Sequence, residues 1–148
     1  MYSNVNVRRM EERDLDRVVE IEESIFTLPW SREGFISAIS MKDNLFVVIT
    51  VDDEVQGYAG YYGSFGEGEI TNVAINKAMH NKGLGQKLMY ELLGIAKEEG
   101  MTRIILEVRV SNESAIHVYE KLGFTSLGIR KDFYEHPRED ALIMEISI

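Results

Sequence analysis

Cysteine is missing from the chain, which excludes disulfides, thiolate metal sites and a cysteine nucleophile together, so any covalent intermediate needs another residue. Long apolar runs are missing too. Nothing approaches the length that spans a bilayer, and the opening MYSNVNVRRMEERD is too polar and charged for a signal peptide. A cytoplasmic protein is therefore expected. Histidine is scarce, and His80, His117 and His136 lie without ligand spacing, so no metal is expected. Positive charge is the minority sign: 16 Lys and Arg stand against 25 Asp and Glu, a formal net charge of -9. That balance argues against nonspecific nucleic-acid binding and mildly favours cationic partners. No repeat, linker or low-complexity segment interrupts the chain.

What is present fits one globular domain, 1–148. With 45% hydrophobic and 28% charged residues, the 148-residue chain is long enough to bury most of its apolar surface without staples. NVNVRR at 4–9 alternates as a strand does. From Asp14 onward Leu15, Val18, Val19, Ile21, Ile25 and Phe26 recur with the helical period, predicting a helix that ends before Pro29. Ser31 predicts the cap of a short second helix carrying Phe35, Ile36 and Ile39. Leu45 to Val51 and Val55 to Tyr62 read as a hairpin about Asp52-Asp53-Glu54, and a third antiparallel strand runs from Gly68 to Ile75. A helix bearing Leu84, Leu88, Leu92 and Ile95 follows and stops at Gly100.

Thr102 to Val108, a nearly continuous apolar run, reads as a strand parallel to its predecessor, because a helix joins the two, and as covered on both faces. Ser111 or Asn112 caps a helix with Ala115, Ile116, Tyr119 and Leu122 on one face, ended by Gly123. Phe124 to Ile129 and Ala141 to Ile146 close the sheet, with KDFYEHPRED as a loop between them. The expected class is α/β: a mixed sheet with antiparallel N-terminal strands, a central parallel pair and helices on its faces.

The densest chemical statement is Val73 to Met89, VAINKAMHNKGLGQKLM, a strand, a turn with two glycines and a helix start. Gly83 and Gly85 let the backbone approach a ligand, and the helix N-terminus offers unpaired N–H groups to an anion. A dinucleotide fingerprint would need glycine where Leu88 stands, and a P-loop would need Gly-Lys-Ser/Thr, so neither reading holds. A turn that only joins strand to helix would look the same.

That stretch, followed by LEVRVSNESAIHVYEKLGF, resembles the acetyl-CoA-binding core of the GNAT superfamily of N-acetyltransferases, over essentially the whole chain. Within it, Pro29-Trp30-Ser31, Leu106-Glu107-Val108-Arg109, Ser111-Asn112 and Glu139-Asp140-Ala141 resemble the RimI-type enzymes that acetylate the N-terminal alanine of bacterial ribosomal proteins. The resemblance implies the GNAT fold, acetyl-CoA as co-substrate and a protein N-terminus, that of a ribosomal protein, as acceptor. It implies that Val73, Ala74 and Ile75 pair their main chain with the pantetheine arm, as an extended ligand adds to a strand edge. The pyrophosphate would meet the turn His80, Asn81, Lys82, Gly83, Leu84, Gly85 and Gln86. The family places Gln or Arg where His80 stands, so the side-chain part of that contact departs from the pattern while the backbone donors do not. Asn112, first of all a helix cap, gains a pantetheine contact by the same likeness.

Acetyl transfer from a thioester to an amine needs a neutral amine, a stabilised oxyanion and a proton for the departing sulfur. Glu107 is the base candidate because it interrupts the apolar run RIILEV; pairing with Arg109, Lys82 or Lys87 is the structural alternative. Tyr119 is the acid candidate, since a phenol of reference pKa near 10 outlasts a thiol of about 8.5; a core aromatic with its hydroxyl at the rim is the alternative, and the family match favours the acid. A main-chain N–H near Ile75 would meet the oxyanion. On the acceptor side, Trp30 and Tyr134 are the foremost candidates among Tyr61, Tyr62 and Phe133, with Glu23, Glu135 or Asp140 drawing basic residues. Acetylation of a small amine or a lysine side chain, or acyl-CoA binding without catalysis, would use the same scaffold.

Overall fold

The computed structural model describes residues 4–148. β1 (Val5–Arg9) leads through a 3-10 turn into α1 (Leu15–Ile25) and α2 (Arg32–Ser40). β2 (Leu45–Val51), β3 (Glu54–Ser64) and β4 (Glu67–Ile75) follow as a meander. Its turns, Asp52-Asp53 and Phe65-Gly66, have φ of 49° and 68°, and of 50° and 81°, the left-handed pairs that match strand twist in a two-residue hairpin. The chain then continues through α3 (Leu84–Glu98), β5 (Arg103–Arg109), α4 (Glu113–Leu122), β6 (Thr125–Glu135) and β7 (Arg138–Ser147). One seven-stranded sheet results, in the order β1-β2-β3-β4-β5-β7-β6, with β4 and β5 parallel and the other described neighbours antiparallel.

α3 and α4 cover one face, burying Leu88 and Leu92 with Val47, Ile49, Ile104 and Leu106. α1 and α2 cover the other, burying Leu15, Val18 and Phe35 with Phe46, Val48 and Tyr58. Each aliphatic side chain sealed in this way contributes roughly 2 kcal/mol. Because both layers meet over β2, all of LFVVITV is buried. β5 differs from expectation: Ile104, Leu106 and Val108 are buried but Ile105, Glu107 and Arg109 are only half-buried. The core of the α1 and α2 layer reaches Ala74 of β4 and takes no residue from β5.

Two other expectations are corrected. KDFYEHPRED is not a loop: β6 and β7 extend through it to a two-residue turn at His136-Pro137, whose peptide bond is cis. β6 is an edge strand exposed along most of its length, so its pairing needs no apolar alternation that a sequence could display. Phe26 does not continue the face of α1; it has an extended backbone, φ -105° and ψ 142°, one residue past the helix.

The sheet opens in the middle. β4 and β5 pair at Glu67–Arg103, Gly68–Ile104 and Glu69–Ile105, yet β4 continues to Ile75 and β5 to Arg109 without pairing. Between Gly60–Asn72 and Tyr61–Ile70 the β3–β4 register shifts and leaves Thr71 as an extra residue. A bulge of this kind bends its strand, and this one falls just past Glu69, where the β4–β5 pairing ends.

Candidate active site

Two cavities meet in that opening. The larger, about 400 Å³, runs between β4, the N-terminus of α3 and the start of α4. Val73, Ala74, Ile75, His80, Asn81, Gly83, Leu84, Gly85, Gln86, Asn112 and Tyr119 line it; Lys82, in the same turn, does not. The β5-facing main chain of Val73 to Ile75 has no strand partner, so an extended ligand can take that place.

The α3 terminus is built for an anion. Gly83 caps it in the left-handed region, φ 77° and ψ 7°, and, having no side chain, supplies no cap hydrogen bond to its first turn. α2 and α4, by contrast, are capped by Ser31 accepting from Gly34 N–H and Asn112 accepting from Ala115 N–H. The amides of Leu84, Gly85 and Gln86 are thus left for a ligand. A Cβ on Gly85 would stand 3.8 Å from Ile75 Cγ1, between helix and strand. His80 is placed by its own bond: Nε2 lies 2.8 Å from the Ile75 carbonyl and, carrying the proton, donates to it, tying the turn to the end of β4.

The second cavity, about 270 Å³, lies on the β5 side and is lined by Phe26, Thr71, Glu107, Arg109 and Tyr134 among others. It shares Val73, Asn112 and Tyr119 with the first. Glu107 keeps a raised pKa: burial pushes it up first, the Glu69 carboxylate adds its charge and a hydrogen bond, and Arg130, 3.9 Å away, opposes them. Tyr119 is buried and its hydroxyl is pushed up to about 12, by burial first and then by Tyr134. Tyr134 is raised as well, by burial and by Glu107, against the pull of Arg109.

Glu107 and Arg109 share a face but do not pair. Arg109 stacks 4.3 Å over the Tyr134 ring and donates to Glu139 and to the His136 and Pro137 carbonyls, while Lys87 pairs with Glu91. Glu139 also accepts the Ser111 N–H at 2.7 Å, so the β6–β7 hairpin is clamped to the turn that carries Asn112. Trp30 lines neither cavity. Its ring packs on Phe35, Phe46 and Tyr62 at 5.1, 6.0 and 6.1 Å, and Phe26 of the same loop lines the second cavity instead. Glu69 and Phe26 were not visible as site residues in the sequence: the first becomes a neighbour of Glu107 only through the β4–β5 register, the second only through the break at the end of α1.

The sequence model of the Acetyltransferase (GNAT) family matches residues 15–124. The chain is 38% identical to a Bacillus subtilis (strain 168) protein, "Putative ribosomal protein bS18-alanine N-acetyltransferase", over 100% of this chain and 99% of that one. It is 31% identical to the ribosomal protein bS18-alanine N-acetyltransferase of Escherichia coli (strain K12), over 96% of this chain and 97% of that one. The crystal structure of the Escherichia coli ribosomal-protein-S18-alanine N-acetyltransferase superposes with a TM-score of 0.89 at 31% identity, covering 98% of this chain and 94% of that one.

Proposed function

The chain belongs to the GNAT acetyltransferase family, and from that premise we propose that it transfers acetyl from acetyl-CoA to a protein N-terminal α-amine, the N-terminal alanine of a bacterial ribosomal protein. The observation that carries this reading is the meeting of a donor-side cleft and an acceptor-side cavity at Val73, Asn112 and Tyr119, with Glu107 on the acceptor side. The relatives' names support the acceptor.

Acetyl-CoA fits the donor cleft on two features: an unpaired strand edge for the pantetheine arm and an uncapped helix N-terminus for the pyrophosphate. When bound it supplies an acetyl thioester. Glu107 takes a proton from the acceptor ammonium, whose reference pKa is about 8, so the amine attacks directly. The raised pKa of Glu107 makes it a stronger base than an ordinary carboxylate. Tyr119 holds its proton at neutral pH, gives it to the sulfur as the C–S bond breaks, and is restored by the second proton that the nitrogen loses on becoming an amide. Tyr134 and Phe26 wall the acceptor side.

Thiol release from acetyl-CoA with peptides beginning in alanine or serine, run beside polyamines, aminoglycosides and a lysine peptide, tests the reading. Turnover is expected with the N-terminal peptides. Glu107→Gln and Tyr119→Phe keep acetyl-CoA affinity and lose about a hundred-fold or more in kcat. Preference for a small amine or lysine would replace the acceptor; no turnover with any acceptor would leave an acyl-CoA-binding module.

A further inference from the structure

The Glu22 carboxylate takes no part in the chemistry above, yet only 2% of the residue is exposed. A carboxylate withdrawn from water persists where partners compensate it. The partners of Glu22 converge on one loop. Its carbonyl accepts Phe26 N–H at 3.0 Å where α1 ends, and its Oε2 accepts Trp30 N–H at 2.9 Å just before α2. Its Oε1 accepts the hydroxyl of Tyr58, a fully buried residue of β3. Burial and the Glu22 charge raise the Tyr58 pKa, so that hydroxyl stays a donor at any physiological pH. Glu22 therefore holds both ends of the 26–30 loop: its main-chain carbonyl takes the Phe26 end, and its carboxylate ties the Trp30 end to Tyr58 in the middle of the sheet.

The loop faces the acceptor side. Phe26 lines that cavity, and Phe26 and Leu28 remain 37% and 77% exposed, apolar surface that the described residues leave open. Glu22 itself lines neither cavity. We propose that Glu22 is a positioning residue for the acceptor: anchored by Tyr58, its carboxylate sets the 26–30 loop as the apolar wall against which the first residues of the acceptor pack. The inference rests on the N-terminal acceptor proposed above.

Because the bracket touches only the acceptor side, its loss separates the two substrates. In initial-rate measurements with an alanine-initiated peptide, Glu22→Ala raises the peptide KM about ten-fold, the scale of one charge-assisted hydrogen bond. The KM for acetyl-CoA stays within about two-fold, since its cleft shares no residue with the bracket. Glu22→Gln restores the peptide KM, because an amide oxygen still accepts from Trp30 and the amide N–H can donate to the Tyr58 oxygen. Tyr58→Phe, which removes the anchor in the sheet, raises the peptide KM as well and serves if Glu22→Ala does not fold. Trp30 is the one tryptophan, so acrylamide quenching of its fluorescence reads the loop, and quenching increases in Glu22→Ala. A peptide KM unchanged in both variants, or one rising in step with that for acetyl-CoA, overturns the inference while the proposed function stands. A parent protein that turns over no N-terminal peptide overturns that function, and this inference with it.

Discussion

Glu107 stands between opposed charges. Burial and Glu69 of β4 favour its protonated form, and Arg130 of β6 favours the carboxylate, with Tyr134 on the same side of the sheet. If Glu107 is the base, kcat/KM falls on the acid side as Glu107 takes up its proton. Removing the Glu69 charge in Glu69→Gln lowers the Glu107 pKa, so the acid limb of the pH profile moves to lower pH; Arg130→Met moves it to higher pH. A profile that both variants leave in place, measured under saturating acetyl-CoA, would remove Glu107 from the base role. The carboxylate itself was legible in RIILEV as a charge inside an apolar run. Its neighbours were not, because Arg109, two residues on, is taken by Glu139 and Tyr134, and Glu69 arrives from a strand more than thirty residues earlier in the chain.

Among the elements, α3 carries the clearest design. Its apolar spacing was legible, and so were the glycines ahead of it, but the missing side-chain cap is a property of the folded turn. Gly85 tests the element. Gly85→Ala leaves folding stability unchanged or raises it by up to ~1 kcal/mol, as alanine replacing glycine in a helix does. Gly85→Val adds two methyl groups beyond a Cβ that would itself stand 3.8 Å from Ile75, narrowing the space between α3 and β4. It weakens acetyl-CoA binding about ten-fold by calorimetry, with the thermal melt preserved. β6 and β7 show the opposite case: a polar edge hairpin extends through a segment whose composition reads as loop.

Across the whole molecule, β1 to β4 and β5 to β7 are joined within the sheet by the three β4–β5 residue pairs, and the opening beyond them is where acetyl-CoA is proposed to lie. A ligand spanning β4, α3 and α4 binds the folded chain and not the unfolded one, so it stabilises by mass action. At a hundred times its dissociation constant that is about 2.7 kcal/mol, raising Tm by roughly 5–10 °C for a chain of this size. Scanning fluorimetry with acetyl-CoA is expected to show this shift, and Gly85→Val to need more ligand for it. The sequence by itself determined the order and kind of most elements and the family likeness, and it offered the candidates for acid, base and anion binding, because hydrophobic period, caps and glycine turns are local. Tertiary structure decided which groups meet. The Thr71 bulge falls where the β4–β5 pairing ends, the register brings Glu69 to Glu107, and the Glu22 carboxylate, bonded to Tyr58, holds the Trp30 end of the loop whose Phe26 lines the second cavity. Glu69 with Glu107 and Glu22 with Tyr58 are each more than thirty residues apart in the chain, and no local pattern encodes such a meeting.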